Sequence, residues 1–564
     1  MPTLHWVGKE KIKNHHRDVP YRVLVDDYRY QAPDTPPINS TANCIIQGDN
    51  LEALKSLLPE FEGKVQCIYI DPPYNTGNES WVYNDNVNDP RIRKWLGQVV
   101  GKEGEDMSRH DKWLCMMYPR LKLLHRLLAD DGILLVSIDR HEMANLKAVL
   151  YEIYLPQNWV GEICWRNVTD NNPTNISLEH EYILCFAKNK KAIEPVWKSS
   201  VLASKQKLIE VGEEFSKNYS SAKELQAKYS HWYREHKNEL WPFQDYKFID
   251  HEGIYTGSRS VHNPGKEGYR YEYPDDIIHP KTKKPCKQPL MGYRFPWETM
   301  QKLLEQERII FGSDETKLVE LKLYAKDYKT KFPSVLELDS RTGTNEIKSI
   351  FPESTRPFDY PKPSELIFDL LSFTTKPNSI ILDSFAGSGT TAHAALKLNA
   401  QDGGNRRFIL IEMMDYADSL TAERVRRVMA GYGEGGKTVP GLGGGFVFQR
   451  LGEPLFDVDK QLNPAVGIDA IRRYVAWQEC ISADALALPN DSRHRYWLGE
   501  ANGQRVFFCY EPDRATCLDL DMLAELIQNP GPTLFYADQL ALGEDFMRRH
   551  NLRFKKIPRD ISRL

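Results

Sequence analysis

From Asn43 to Ile138 the chain alternates short apolar runs with helical stretches. It loses that rhythm between about Lys190 and Ser354 and takes it up again at Pro363. Cys44–Gln47, Val65–Ile70 and Ile133–Ile138 read as strands, with helices expected over Asn50–Leu58 and near Asp111–Leu128. The later block offers a helix over Pro363–Phe373, a strand over Ser379–Leu382, a helix over Thr391–Leu398 and a strand-like run at Arg407–Ile411. Such alternation implies an α/β fold with a mostly parallel, doubly wound sheet covered by helices on both faces. One sheet built from both blocks would unite strand ends more than 300 residues apart in sequence.

Each block ends a strand in a distinctive motif. Asp71-Pro72-Pro73-Tyr74 follows Val65–Ile70. A carboxylate, two rigid prolines and an aromatic ring suit gripping a flat, amino-bearing base, because proline's fixed φ keeps a carbonyl aimed. At about 5% usage per residue type, this string arises by chance roughly 0.004 times in a chain of this length. The second motif is Phe385-Ala386-Gly387-Ser388-Gly389-Thr390-Thr391, after Asp383. Its glycines let the backbone approach a ligand that a Cβ would exclude. Glu412 ends the next strand-like run about 20 residues on, where an acid commonly takes ribose hydroxyls. The plainer readings are structural: Asp71 as a turn or capping residue, Tyr74 as a core aromatic, Glu412 as a solvated strand end.

At 564 residues, 41% hydrophobic and 27% charged, the chain has the composition of two to four globular domains. A net charge of −4 argues against a protein that coats nucleic acid nonspecifically, so any DNA contact must come from local basic faces. Nine scattered cysteines with no Cys-x-x-Cys pair predict reduced thiols, no metal site and a cytoplasmic location. The polar, charged stretch from Lys9 onward lacks a signal peptide's apolar segment, and no apolar run is long enough to predict a membrane span. Gly431 to Thr438 satisfies a P-loop expression, but a charged helix precedes it and Pro440 blocks the helix that must follow, so a linker or hairpin is expected.

The two motifs together resemble the β-class DNA amino-methyltransferases that use S-adenosylmethionine (AdoMet), and most closely the modification (Mod) subunits of type III restriction-modification systems. The likeness is carried by Ile46-Gln47-Gly48-Asp49-Asn50, Tyr69–Asn78, Arg109–Arg120, Gly132–Arg140, Glu179–Asn189 and Tyr360–Pro363, and runs from about Asn43 to Val428. It implies a Rossmann-like methyltransferase sheet and methyl transfer to adenine N6 of double-stranded DNA. The nearest alternative is cytosine N4; a non-catalytic recognition subunit with a degenerate core is a further one. Asp71, Pro72, Pro73 and Tyr74 would hold the flipped base. AdoMet would be bound by Asp49, Asp71, Lys362, Asp383, Phe385, Ala386, Gly387, Ser388, Gly389, Thr390 and Glu412. Asp49 reads equally well as a helix N-cap, and Lys362 as a surface lysine.

The resemblance also orders the chain: an N-terminal arm (1–40), the catalytic half of the core (41–189), an inserted target-recognition region (190–354), the AdoMet-binding half (355–430), a Gly-rich linker (431–445) and a smaller mixed α/β C-terminal domain (446–564). Within the insert, Arg270, Lys281, Lys283, Lys284, Lys287 and Arg294 are candidate DNA contacts, although such lysines are more often a solvated loop. The implied partners are DNA, a second copy of the chain and a helicase-nuclease (Res) subunit.

Overall fold

A computed structural model of the chain describes residues 3–33, 43–76, 94, 108–167, 175–199, 203–237, 240, 242–263, 271, 273–328, 330–482, 486, 495–527 and 529–561. Two compact units emerge: Met1–Pro195 with Ser340–Leu564, and Val196–Asp339.

The first unit is organised by one large sheet. Its strands are β1 (Arg22–Gln31), β2 (Asn43–Gln47), β3 (Val65–Ile70), β4 (Leu128–Ile138), β5 (Trp159–Arg166), β6 (His180–Ala187), β7 (Ile380–Asp383), β8 (Arg407–Glu412) and β9 (Gly445–Pro454). They lie in the order β1-β9-β2-β8-β7-β3-β4-β6-β5. Neighbours from β9 to β4 run parallel, while β1 on one side and β6 and β5 on the other run antiparallel. The decisive pairing joins the two sequence blocks: Ile381 aligns with Cys67 and Leu382 with Ile68.

Strand β7 reads as an unbroken apolar run because helices cover both faces of a parallel sheet. Ile381 and Leu382 are fully buried, each contributing about 1.5–3 kcal/mol of apolar transfer. The flanking helices start on local signals. Asp49 caps Asn50–Phe61, accepting from the Leu51 and Glu52 amides. Ser108 and Asp111 form a reciprocal capping box at the start of Arg109–Leu127. Leu54, Leu57, Trp113, Met117 and Leu121 from these two helices enter the principal core with Ile68, Ile70 and Leu382.

Two expectations from the sequence are revised here. Residues 22–31, assigned to an arm, form the edge strand β1; their apolar residues do not alternate cleanly because Asp26 and Asp27 sit on an exposed edge. Residues 445–454 belong to the same sheet through β9, so the C-terminal segment branches off later than residue 446. That segment carries its own sheet of Trp497–Ala501, Gln504–Phe508, Thr533–Ala537 and Leu552–Lys556. The P-loop lookalike closes as a hairpin, with Gly431–Tyr432 paired antiparallel to Val439–Pro440.

The second unit contains the helices Ala203–Asn218 and Ala222–His236 and an antiparallel sheet of Ile309–Ile310, Glu320–Tyr324, Gly253–Ser258 and Phe248–Asp250. Val261, Ile277, Cys286, Tyr293 and Met300 form a separate core cluster there. Among the described residues, no helix is long and apolar enough to cross a membrane.

Candidate active site at the ends of the central strands

Because β3 and β7 are adjacent and parallel, the segments leaving their carboxyl ends emerge side by side. This is where open α/β sheets bind ligands. Asp71 to Tyr74 leaves β3, and the glycine loop leaves β7.

The glycine loop is bent by Gly387 (φ 51°) and Gly389 (φ 80°), both in the left-handed region. A Cβ on Gly389 would also stand 3.1 Å from the Thr421 carbonyl oxygen. Glu412 Oε2 accepts from the Gly387 amide at 2.8 Å, while its Oε1 takes the Met414 amide at 3.0 Å. Asp383 accepts from the Phe385 amide at 3.0 Å and the Thr391 hydroxyl at 2.5 Å. Burial pushes both carboxyls up to about 7. For Asp383 the hydrogen bonds from Thr391 and Phe385 oppose that rise, and the nearby Asp71 and Glu412 add to it. For Glu412 the amides of Met414, Gly387 and Met413 oppose it.

Ser388 and Thr390 are turned inward. Their hydroxyls each meet Arg424 Nη1, at 2.9 and 2.8 Å, leaving only their backbone toward a ligand. Arg424 is fully buried and pairs with Glu346 at 2.8 Å. Asp49, expected near a cofactor's adenine, caps its helix and stands 3.4 Å from Arg120. Its neighbour Asn50, read from the sequence as part of the same cap, donates to the Ser384 carbonyl at 3.0 Å and so ties that helix to the loop.

At the end of β3, Asp71 Oδ1 is buried and has no hydrogen-bond partner among the described residues. Its other oxygen, Oδ2, lies 3.0 Å from Lys362 Nζ. Lys362 donates to the Tyr74 hydroxyl at 2.8 Å, and that hydroxyl donates to Glu181 Oε2 at 2.8 Å. Burial lowers the proton affinity of Lys362, but Asp71 and Glu181 more than offset it, so its pKa ends above the ordinary value. Burial, with Asp71 and Glu181 beside it, holds Tyr74 well above the usual phenol range. Pro72 is buried, and the Pro73 carbonyl accepts from Trp113 Nε1 at 2.6 Å. Glu181 and Trp113 went unrecognised from the sequence because each sits inside an ordinary strand or helix.

In the second unit, Lys281, Lys283, Lys284, Lys287 and Arg294 are all exposed. The lysine turn is built on buried His279. Its Nδ1 accepts the Lys281 and Thr282 amides at 3.2 Å each and its Nε2 donates to the Gly312 carbonyl at 3.2 Å. Lys284 faces Glu315 at 3.4 Å. Arg270 lies outside the described residues.

A buried orphan acceptor beside a glycine loop flanked by two buried acids fits a nucleoside-type cofactor and an amine to be modified. The family model described as "DNA methylase" matches residues 65–423, spanning both motifs and most of the chain. The chain belongs to the DNA methylase family. This methylase is 46% identical over 445 residues to the EcoP15I Mod subunit of a type III restriction-modification enzyme from Escherichia coli, covering 76% of this chain and 66% of the relative. It is 29% identical to the StyLTI Mod subunit of Salmonella typhimurium, covering 76% and 63%. It is 30% identical to the type II methyltransferase M.KpnI of Klebsiella pneumoniae, covering 69% of this chain and 85% of that protein. The chain thus spans just under two thirds of the length of the Mod relatives. Among solved structures it is similar, at 16% identity and a TM-score of 0.30, to a putative DNA modification methylase of Thermus thermophilus complexed with S-adenosyl-L-methionine, covering 68% of this chain and 95% of that one.

Proposed function

We propose that this methylase transfers a methyl group from AdoMet to the N6 amine of adenine in double-stranded DNA, as the modification and specificity subunit of a type III-like system. The observation that carries this reading is the meeting of Asp71, its Oδ1 unpartnered, with the glycine loop at two neighbouring strand ends.

The backbone of Phe385, Ala386, Gly387, Ser388, Gly389 and Thr390, with Asp383 and Glu412, would hold AdoMet. Bound there, its sulfonium supplies an activated methyl group without a metal. The chain's own part is to make a poor nucleophile competent. An exocyclic amine delocalises its lone pair into the ring. Acceptors fixed at its two N–H groups favour the pyramidal nitrogen of the transition state. Asp71 Oδ1 would accept one N–H and the Pro72 carbonyl the other. A base in a duplex must leave the stack to reach them, and the locked Tyr74 ring would form a wall of its pocket. The exposed Lys281, Lys283, Lys284, Lys287 and Arg294 form the proposed phosphate-facing surface.

Likeness to proteins named as Mod subunits of restriction-modification enzymes supports a partner subunit, proposed to be a helicase-nuclease Res chain; a homodimer, and docking through the segment beyond β9, are part of the same proposal. Sequencing of DNA from cells expressing this chain alone, joined to mass spectrometry of the digested DNA, tests the function. N6-methyladenine at one short motif is expected, and lost in Asp71→Ala. N4-methylcytosine would transfer the reading to the other amine, and unmodified DNA would refute it.

A further inference from the structure

Lys362 stands at a crossing of three oxygens contributed by distant segments. Its Nζ donates to the Tyr74 hydroxyl at 2.8 Å and lies 3.0 Å from Asp71 Oδ2 and 3.2 Å from Glu181 Oε2. An ammonium has three N–H groups and no acceptor, and here it makes one hydrogen bond, to the Tyr74 hydroxyl, and two ion pairs, with Asp71 and Glu181. The side chain is only 11% exposed, and the nitrogen also stands 4.8 Å from the Tyr74 ring centroid and 5.6 Å from that of Trp165. Glu181 is itself held, because its Oε1 accepts from Asn167 Nδ2 at 2.6 Å. A lysine held in this way is committed to Tyr74, Asp71 and Glu181 rather than to the AdoMet contact that the family resemblance implies for it.

Resting on the function proposed above, we infer that Lys362 is a positioning residue of the target-base motif rather than a cofactor ligand, with Glu181 as its anchor. A carboxylate free to turn about its last torsion offers either oxygen over a range of angles. Held at Oδ2, Asp71 presents Oδ1 alone, in one direction. The same ammonium and Glu181 take the Tyr74 hydroxyl from both sides, as donor and acceptor, so the ring and the carboxylate are set by one pair of side chains. Preorganisation of this kind acts on the transition state and leaves the resting affinity for a cofactor untouched.

The test uses the full chain, wild type and with Lys362→Met or Glu181→Gln. It measures AdoMet affinity by calorimetry without DNA and single-turnover methyl transfer at saturating AdoMet. For Lys362→Met the dissociation constant should stay within about twofold while transfer falls by about 100-fold, the scale of a small misplacement of reacting groups. For Glu181→Gln, transfer should fall by about tenfold, again at unchanged affinity. A weakened AdoMet constant for Lys362→Met, with turnover restored at saturation, overturns the assignment. If Lys362→Met loses both properties, Glu181→Gln decides: lowered transfer at unchanged affinity supports the inference, and unchanged transfer overturns it. A wild-type chain that methylates no DNA would remove the functional reading and this assignment with it, an outcome distinct from the others.

Discussion

The Gly387 amide donates to Glu412 Oε2 at 2.8 Å, so the acid ending β8 closes the loop that follows its neighbour β7. Replacing Glu412 with alanine leaves a buried amide without an acceptor, at a cost of about 1–3 kcal/mol, and frees the loop. The AdoMet dissociation constant of Glu412→Ala should rise by about tenfold or more, measured by calorimetry. An unchanged constant would show that the loop holds its shape without the acid.

Asp383 and Glu412, both raised to about 7 by burial, should make the protein's behaviour pH-dependent near neutrality. Each binds a proton more tightly folded than unfolded. Their joint contribution to stability is therefore complete below the ordinary carboxylate value of about 4 and is lost as pH rises through about 7. Asp383→Asn should lose less stability than wild type across that window in thermal unfolding. A cationic cofactor favours the ionised carboxylates, so AdoMet binding near pH 7 should release protons. Calorimetry in buffers of differing ionisation heat reads this directly, and proton uptake would contradict it.

The tetrapeptide and the glycine loop were legible because each follows a buried apolar strand and contains residues with little other reason to occur together. Asp71, Gly387 and Glu412 needed only local pattern to be noticed. What Lys362 touches was not legible, since its neighbours Pro361 and Pro363 say nothing about where three N–H groups end up. Trp113 and Glu181 reach the motif through tertiary packing, and the sequence around them has the ordinary periodicity of a helix and a strand. Strand β1 was missed for a related reason: an exposed edge tolerates Asp26 and Asp27, which erase the alternation used to recognise strands.

Arg424 joins the loop to a buried charge cluster. It reaches Ser388, Thr390 and Glu346, while Lys397 holds Glu346 Oε1 at 2.8 Å. Burial raises the Glu346 carboxyl, but His393, Lys397 and Arg424 together hold it well below the usual carboxylate range. Removing one member of a buried pair strands the other charge, so Arg424→Met should destabilise the fold by about 3–5 kcal/mol. Ser388→Ala loses the hydrogen bond from Arg424 and a longer one, at 3.3 Å, with Thr390, and should cost about 1–2 kcal/mol. Denaturant unfolding separates the two; equal effects would mean that the guanidinium acts through Ser388 alone.

Asn75 follows Tyr74 with a φ of 58°, a left-handed conformation that asparagine tolerates better than most residues. Its Nδ2 donates to Glu142 Oε1 and to the Arg109 carbonyl, the latter at 3.2 Å. Glu142 is fully buried and also accepts from His110 Nδ1 at 2.6 Å and Asn145 at 2.8 Å. Backbone strain and side-chain bonding can be separated here by three substitutions. Asn75→Gly keeps the backbone and loses only the hydrogen bonds; Asn75→Ala adds about 1–2 kcal/mol of strain. Asn75→Asp sets a second carboxylate against Glu142 and should be the worst, since like charges at close range repel strongly in a buried site. Methyl-transfer rates should fall in the order wild type, Gly, Ala, Asp, at similar AdoMet affinity, because the change acts on the orientation of Tyr74. Equal rates for the glycine and alanine variants would assign the whole effect to the lost hydrogen bonds and none to the backbone.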